Sequence, residues 1–150
     1  MAQTLTSLLV HIVFSTKHRA DLITPEVEQD LFAYLGGVSA NNQSTLLASG
    51  GTANHVHLLV SQSKNIALKD LLQDLKQSSS KWIKTKGREF DEFRWQDGYS
   101  AFSIGQSQVP SVRAYLAKQK SHHQQVSFED EFREFLRKYE IEYDERYVWD

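Results

Sequence analysis

Apolar and polar residues alternate from residue 5 to residue 16. Leu8, Val10, Ile12 and Phe14 fall on one face, and Leu9, His11, Val13 and Ser15 on the other, which is the period of a strand. Lys17-His18-Arg19 follows as a basic loop. The spacing then turns helical: Val27, Leu31, Tyr34, Leu35 and Val38 form a stripe behind Thr24, a suitable cap, and Pro25 at the first helical position. Asn41-Asn42 ends this helix. Residues 44–50 predict a weak second strand, and Gly50-Gly51 a turn into a third over 54–61, where Val56, Leu58 and Val60 alternate with His55, His57 and Leu59. Leu68, Leu71, Leu72, Leu75, Trp82 and Ile83 mark a second long helix. Phe93–Gln96, Asp97-Gly98 and Tyr99–Ile104 predict a hairpin, because Asp-Gly suits a two-residue primed turn. A third helix is expected from Ser107 to about Ser121, with Pro110 tolerated in its first turn. Ser127 is placed to cap a fourth, whose stripe is Phe128, Phe132, Phe135, Leu136 and Tyr139. The aromatic, acidic tail from Ile141 has no pattern that assigns it.

The order β-α-β-β-α-β predicts an α+β chain with a ferredoxin-like (split βαβ) antiparallel sheet, helices on one face, and additional C-terminal helices. In that topology the first and third strands are neighbours. His11 is then expected to share an open sheet face with His55 and His57. One hundred and fifty residues suit a single domain spanning 1–150. The absence of cysteine excludes disulfides, thiolate zinc sites and cysteine nucleophiles. No apolar run approaches membrane-spanning length, and the first residues lack the basic region of a signal peptide, so a cytoplasmic protein without membrane association is expected. The net charge of −2 is spread unevenly. Residues 64–88 carry a net +5 and residues 125–150 a net −5. Such a basic stripe can bind phosphate, although from charge alone a solvated helix face is the commoner outcome.

Candidate chemistry concentrates in two places. His55 and His57 lie two apart on a strand and so project to one face, where both imidazoles can reach one metal ion while Val56 and Leu58 anchor the strand. Tyr115 and Gln119 lie four apart in a helical segment and share a face. Val112 and Leu116 make the better apolar stripe there, with Tyr115 at its edge and Gln119 and His122 continuing the polar face. A His-x-His pair alone is a weak signal, as often structural as functional. The His-x-His-x-His and paired His-x-Thr patterns are both excluded by Leu59 and by the lack of a second copy. His122 and His123, adjacent on a helix, diverge by about 100°, and a solvated helix end is the expected role for both.

Taken in order, VHIVFSTKHR, GGTANHVHLLV, FRWQDGYSAFSI and VRAYLAKQKSHH give the chain a resemblance to the single-tyrosine HUH transposases of the insertion sequence 200-like family, which include the REP-associated tyrosine transposases. That resemblance implies a divalent ion, Mg²⁺ or Mn²⁺, held by His55, His57 and Gln119. It implies Tyr115 as the nucleophile that forms a 5′-phosphotyrosine link. It implies single-stranded DNA bearing hairpins as the substrate, and a homodimer with composite active sites in which the tyrosine helix of one subunit completes the other's histidine site. Lys17 and Arg19 are further candidates for phosphate contact. Trp95 is a candidate for base stacking, against a buried role, and His11 for contacting DNA or orienting a metal ligand. Gly105 is a candidate hinge for the tyrosine helix. Two rivals remain open: a hairpin-binding regulator that does not cut, and a hydrolytic phosphodiesterase.

Overall fold

A computed structural model describes residues 2–150. Four strands form one antiparallel sheet: β1 (Leu9–Ser15), β2 (Thr45–Thr52), β3 (His55–Ser61) and β4 (Ser100–Ile104), in the order β2-β3-β1-β4. This is the ferredoxin-like arrangement expected from the element order. β1 lies between β3 and β4, with Val13 opposite both His57 and Ser100.

The helices α1 (Pro25–Asn41) and α2 (Leu68–Ile83) cover one sheet face. Ile12, Phe14, Val56, Leu58 and Val60 meet Leu31, Leu35, Leu71, Leu72 and Leu75 there in the main core. The strand alternation therefore divides the faces as its period predicts. Thr24 precedes α1 in an extended conformation, but its side chain makes no capping hydrogen bond.

The other face is not open. Three C-terminal helices lie over it: α3 (Val109–Ala117), α4 (Gln119–His122) and α5 (Phe128–Lys138). Val13 and Phe102 pack there with Phe128, Phe132 and Leu136 in a second core. The stripe on α5 is what closes the face, since leaving those rings in water forfeits roughly 1.5–3 kcal/mol for each. Ser127 caps α5 by accepting a 3.1 Å hydrogen bond from the Asp130 N–H. The tail completes this layer. Val148 and Trp149 pack against the second core, and the Asp150 carbonyl accepts from the Gly98 N–H at 2.8 Å.

Three local expectations are corrected. The single helix over 107–121 is interrupted at Lys118, which leaves helical geometry at φ −104°, ψ 15°. The hairpin around Asp97-Gly98 does not form. β4 pairs with β1 instead, and Trp95 makes only an isolated bridge to Thr16. Gly98 does not adopt the positive φ that a primed turn demands, and Lys76 holds the Asp97 and Gly98 carbonyls at 3.0 and 2.8 Å. Gly50-Gly51 is not a turn either. Both lie inside β2, and the turn falls at Ala53-Asn54.

Candidate metal and tyrosine site

His55 and His57 project together onto the α3–α5 side of the sheet, as their spacing predicts, yet both are fully buried there. His57 stands opposite Gly50 in the β2–β3 register, and that pairing explains the glycine. A Cβ at Gly50 would come within 2.0 Å of the Leu116 carbonyl oxygen. Only glycine lets the backbone of α3 rest on the sheet beside His57. One residue before Leu116, Tyr115 is thereby brought with its ring 5.9 Å from the His57 ring. Gln119, one turn on, is buried with Oε1 3.1 Å from His55 Nε2. Tyr115, Gln119, His55 and His57 thus converge within one chain.

The residue at the centre of this group is one that sequence reasoning passed over. Glu131 of α5 is 3 % exposed. Its carboxylate accepts from the Tyr115 hydroxyl and from Gln119 Nε2 at 3.2 Å, and lies 2.9 Å from His57 Nε2. His122 and His123, expected at a solvated helix end, both turn Nε2 to within 3.2 Å of the same carboxylate. The chain leaves α4 at His123, so the angular divergence of a continuous helix does not apply. One signal for Glu131 was available. It sits between Phe128, Phe132 and Phe135, inside the apolar stripe of a helix whose other carboxylates face water.

These neighbours set the charge states. Hydrogen bonds from His123 and His57 hold the Glu131 carboxyl far below the usual carboxylate range, against the cost of its burial. Burial and Glu131 push the Tyr115 hydroxyl well above its ordinary value. Burial lowers His55 and His11 to about 3, so both are neutral. Glu131 raises His123 against the opposing effect of burial.

The donor set fits a divalent ion. One nitrogen each from His55, His57 and His123 and one oxygen of Glu131 lie within 4.8 Å of one another. At His55, Nδ1 faces the Asn54 Oδ1 at 2.8 Å. That oxygen only accepts, so Nδ1 carries the proton and Nε2 a lone pair. This lone pair faces Gln119 Oε1, also an acceptor. Turning the amide over would instead set its oxygen against the Glu131 carboxylate. Either way two acceptors confront each other, and a cation between them removes the conflict.

The weaker candidates resolve differently. His11, 2 % exposed, lies behind His57 with its Nε2 2.8 Å from His57 Nδ1, so it can orient that ring and is not placed to touch DNA. Trp95 is a core residue. It is buried edge-on against Phe14 and Phe93, and its indole N–H donates to Ser79 Oγ at 2.9 Å, which rules out base stacking. Lys17 pairs with Asp97 at 3.2 Å. Arg19 pairs with Glu129 at 2.9 Å and lies over the Trp149 ring. Gly105 has an ordinary extended backbone, with its N–H held by Gln108 Oε1 at 2.8 Å. On the opposite side of the sheet a groove of about 700 Å³ runs along α2, lined by Lys69, Lys81, Lys84 and Arg94. Among the described residues none of these four makes an ion pair.

The sequence profile of the family described as "Transposase IS200 like" matches residues 4–119. The ISDra2 transposase TnpA of Deinococcus radiodurans is 22 % identical over 114 residues, covering 73 % of this chain and 81 % of that protein. A transposase structure from Deinococcus radiodurans R1 aligns with a TM-score of 0.62 at 20 % identity, over 79 % of this chain and 95 % of the other. The structure of a REP-associated tyrosine transposase bound to a REP hairpin aligns with a TM-score of 0.61 at 11 % identity, over 84 % and 76 %.

Proposed function

From the premise that this chain belongs to the IS200-like transposase family, we propose that it cuts and rejoins single-stranded DNA at hairpin-bearing ends through Tyr115. The observation that carries this reading is the convergence of the Tyr115 hydroxyl and the Gln119 amide on the buried pair His55 and His57. His55, His57 and Gln119 would hold a divalent ion, Mg²⁺ or Mn²⁺, which when bound polarises phosphate oxygens. In the reaction the Tyr115 oxygen forms a bond to phosphorus and the bond to the 3′ oxygen breaks. A 5′-phosphotyrosine and a free 3′-OH result. The link conserves the energy of the phosphodiester, so a second 3′-OH can reverse it. The proton that the phenol gives up as the bond forms is the one the departing 3′ oxygen takes on, and the Glu131 carboxylate, which accepts the hydroxyl's hydrogen bond, is placed to relay it. A base locked in duplex is costly to splay out, which favours single-stranded substrate.

The proposed working assembly is a homodimer in which subunits exchange their tyrosine helices, with the packing of α3 on its own sheet as the resting arrangement. Lys69, Lys81, Lys84 and Arg94 on the opposite side of the sheet supply a phosphate-binding surface for a hairpin stem. A second reading, a hairpin-binding regulator that does not cut, is favoured by one observation: α5 covers the histidine face and Glu131 occupies the Tyr115 hydroxyl.

Incubation of the protein with single-stranded hairpin DNA and Mn²⁺ separates these readings. A covalent protein–DNA adduct is expected, absent in Tyr115→Phe, whose DNA affinity stays nearly unchanged. An adduct in Tyr115→Phe makes another tyrosine the nucleophile. Cleavage without any adduct favours hydrolysis, and binding without cleavage favours the regulator.

A further inference from the structure

The family match stops at residue 119, yet two of the side chains that surround the histidine pair come from beyond it. His123 follows α4 and Glu131 lies on α5. Both point into the site rather than to solvent. His123 Nε2 lies 2.9 Å from Gln119 Oε1 and 3.2 Å from the Glu131 carboxylate, while Nδ1 lies 2.7 Å from the Val126 carbonyl oxygen. A carbonyl oxygen only accepts, so Nδ1 donates and Nε2 is the nitrogen left to face the site. His55 repeats this arrangement, with Nδ1 tied to Asn54 and Nε2 turned inward. An outer nitrogen tied to an acceptor orients a histidine for metal binding, and the inner Nε2 of His123, hydrogen-bonded to Glu131 here, would ligate once an ion displaces its proton. Glu131 adds a buried carboxylate whose oxygen lies 2.9 Å from His57 Nε2 and within 4.8 Å of the ligating nitrogens of His55 and His123. A single buried carboxylate ringed by three imidazoles has the composition of a ligand set, and it compensates the charge of an ion that neutral His55, His57 and Gln119 would leave uncompensated.

We propose that His123 and Glu131 are additional ligands to the divalent ion, supplied by the C-terminal segment, so that this chain holds its metal with three imidazoles and a carboxylate as well as Gln119. The inference rests on the metal-dependent reading above and deepens it. It has a consequence for the ion. Imidazole nitrogen suits first-row transition ions, whereas Mg²⁺ favours oxygen donors and retains its waters. The site therefore selects Mn²⁺ over Mg²⁺. It also ties ion binding to the docking of α5, because Glu131 enters the site only when Phe128, Phe132 and Leu136 are seated on the sheet.

Mn²⁺ binding to the full chain, followed by the electron paramagnetic resonance of free Mn²⁺ without any DNA, tests this. Wild type is expected to bind Mn²⁺ in the presence of excess Mg²⁺. Glu131→Gln and His123→Ala are each expected to weaken binding by about tenfold or more. Circular dichroism establishes that each variant is folded. His123 is at the end of a short helix, so its variant decides the matter if Glu131→Gln does not fold. Crystals soaked in Mn²⁺ then give a direct reading, in which the anomalous peak should lie within bonding distance of both residues. If His57→Ala abolishes binding while Glu131→Gln and His123→Ala bind as wild type does, the added ligands are wrong and the metal-dependent reading stands. If wild type binds no Mn²⁺, or His57→Ala binds it unchanged, both fall together.

Discussion

The indole of Trp95 and the imidazole of His11 show how a residue type acquires its role from what surrounds it. Trp95 fills the main core and gives its indole N–H to Ser79. Trp95→Phe should therefore destabilise the chain by about 1–3 kcal/mol, combining lost volume with an orphaned partner, and leave hairpin affinity unchanged. Urea denaturation and a binding isotherm on the same preparation check this, and weakened DNA binding at unchanged stability would restore the stacking role. His11 presents the reverse case, a polar residue whose burial makes sense only through its neighbour. With Nε2 on His57 Nδ1, it sets the orientation of a ligand it does not replace. His11→Ala should cost about 10–100-fold in Mn²⁺ affinity, measurable by the same paramagnetic titration. Unaltered affinity would mean that His57 is held by the sheet alone.

Among the elements, the contact between β2 and α3 decides where the chemistry sits. Gly50 leaves room for the Leu116 carbonyl to lie directly on the strand. A side chain there must push α3 off the sheet, and Tyr115 and Gln119 with it. Displacement of about 1 Å is enough to cost about 100-fold in rate. Gly50→Ala is accordingly expected to retain the main core on the far side of the sheet, with far-UV circular dichroism little changed, and to lose adduct formation by about that factor. The loss is expected whether α3 docks on its own strand or on the identical strand of a partner subunit, and normal adduct formation would show that the Gly50–Leu116 contact does not position Tyr115. The Gly50-Gly51 pair was legible in the sequence as a backbone feature, but a turn was the local explanation. For Gly50 the real one is a helix more than sixty residues away, which no window around it contains, whereas a Cβ at Gly51 would meet the His55 carbonyl oxygen of the neighbouring strand. The break at Lys118 has no local marker either, since neither glycine nor proline stands there and only the folded chain shows the bend.

Across the whole molecule, two buried histidines make the metal-free fold sensitive to acid. His11 and His55 are lowered to about 3 from an ordinary 6.5. Their neutral forms favour the folded state, so their contribution is complete above pH 6.5 and is lost as pH falls towards 3. His123 is raised, so its contribution is already complete at pH 6.5 and does not change below it. Glu131 is depressed below 4.5, so it adds a loss only in stronger acid. Between pH 6.5 and 4.5 the stability in chelator should fall with the uptake of about two protons, on the order of 1.4 kcal/mol per pH unit for each. Denaturant midpoints across that range check it, and a flat profile would mean that the imidazoles are not buried neutral. The assembly is tested at this scale too. Mixing Tyr115→Phe with His57→Ala subunits should restore cleavage if tyrosine helices are exchanged. A dead mixture, with heterodimers verified, would place each site within one chain. Salt dependence reports on the groove along α2. Lys84→Gln should lower the slope of log affinity against log salt by about one, without altering adduct chemistry once DNA is bound.

Local periodicity by itself determined β1, β3, the two long helices and the division of β1 and β3 into an apolar face and a histidine face, because side-chain direction repeats every two residues in a strand and every 3.6 in a helix whatever lies elsewhere; β2 was only weakly marked, and β4 was expected as half of a hairpin that does not form. The order of those elements was enough for the split βαβ sheet, and residue chemistry in matching order was enough for Tyr115, His55, His57 and Gln119 as candidates. Only the tertiary structure decided what covers the histidine face. Whether an apolar stripe such as that of α5 closes over one sheet face or another depends on long-range packing. Glu131, His123 and the backing role of His11 all follow from that one docking event. A carboxylate inside a phenylalanine stripe becomes meaningful only when the chain brings three imidazoles to meet it.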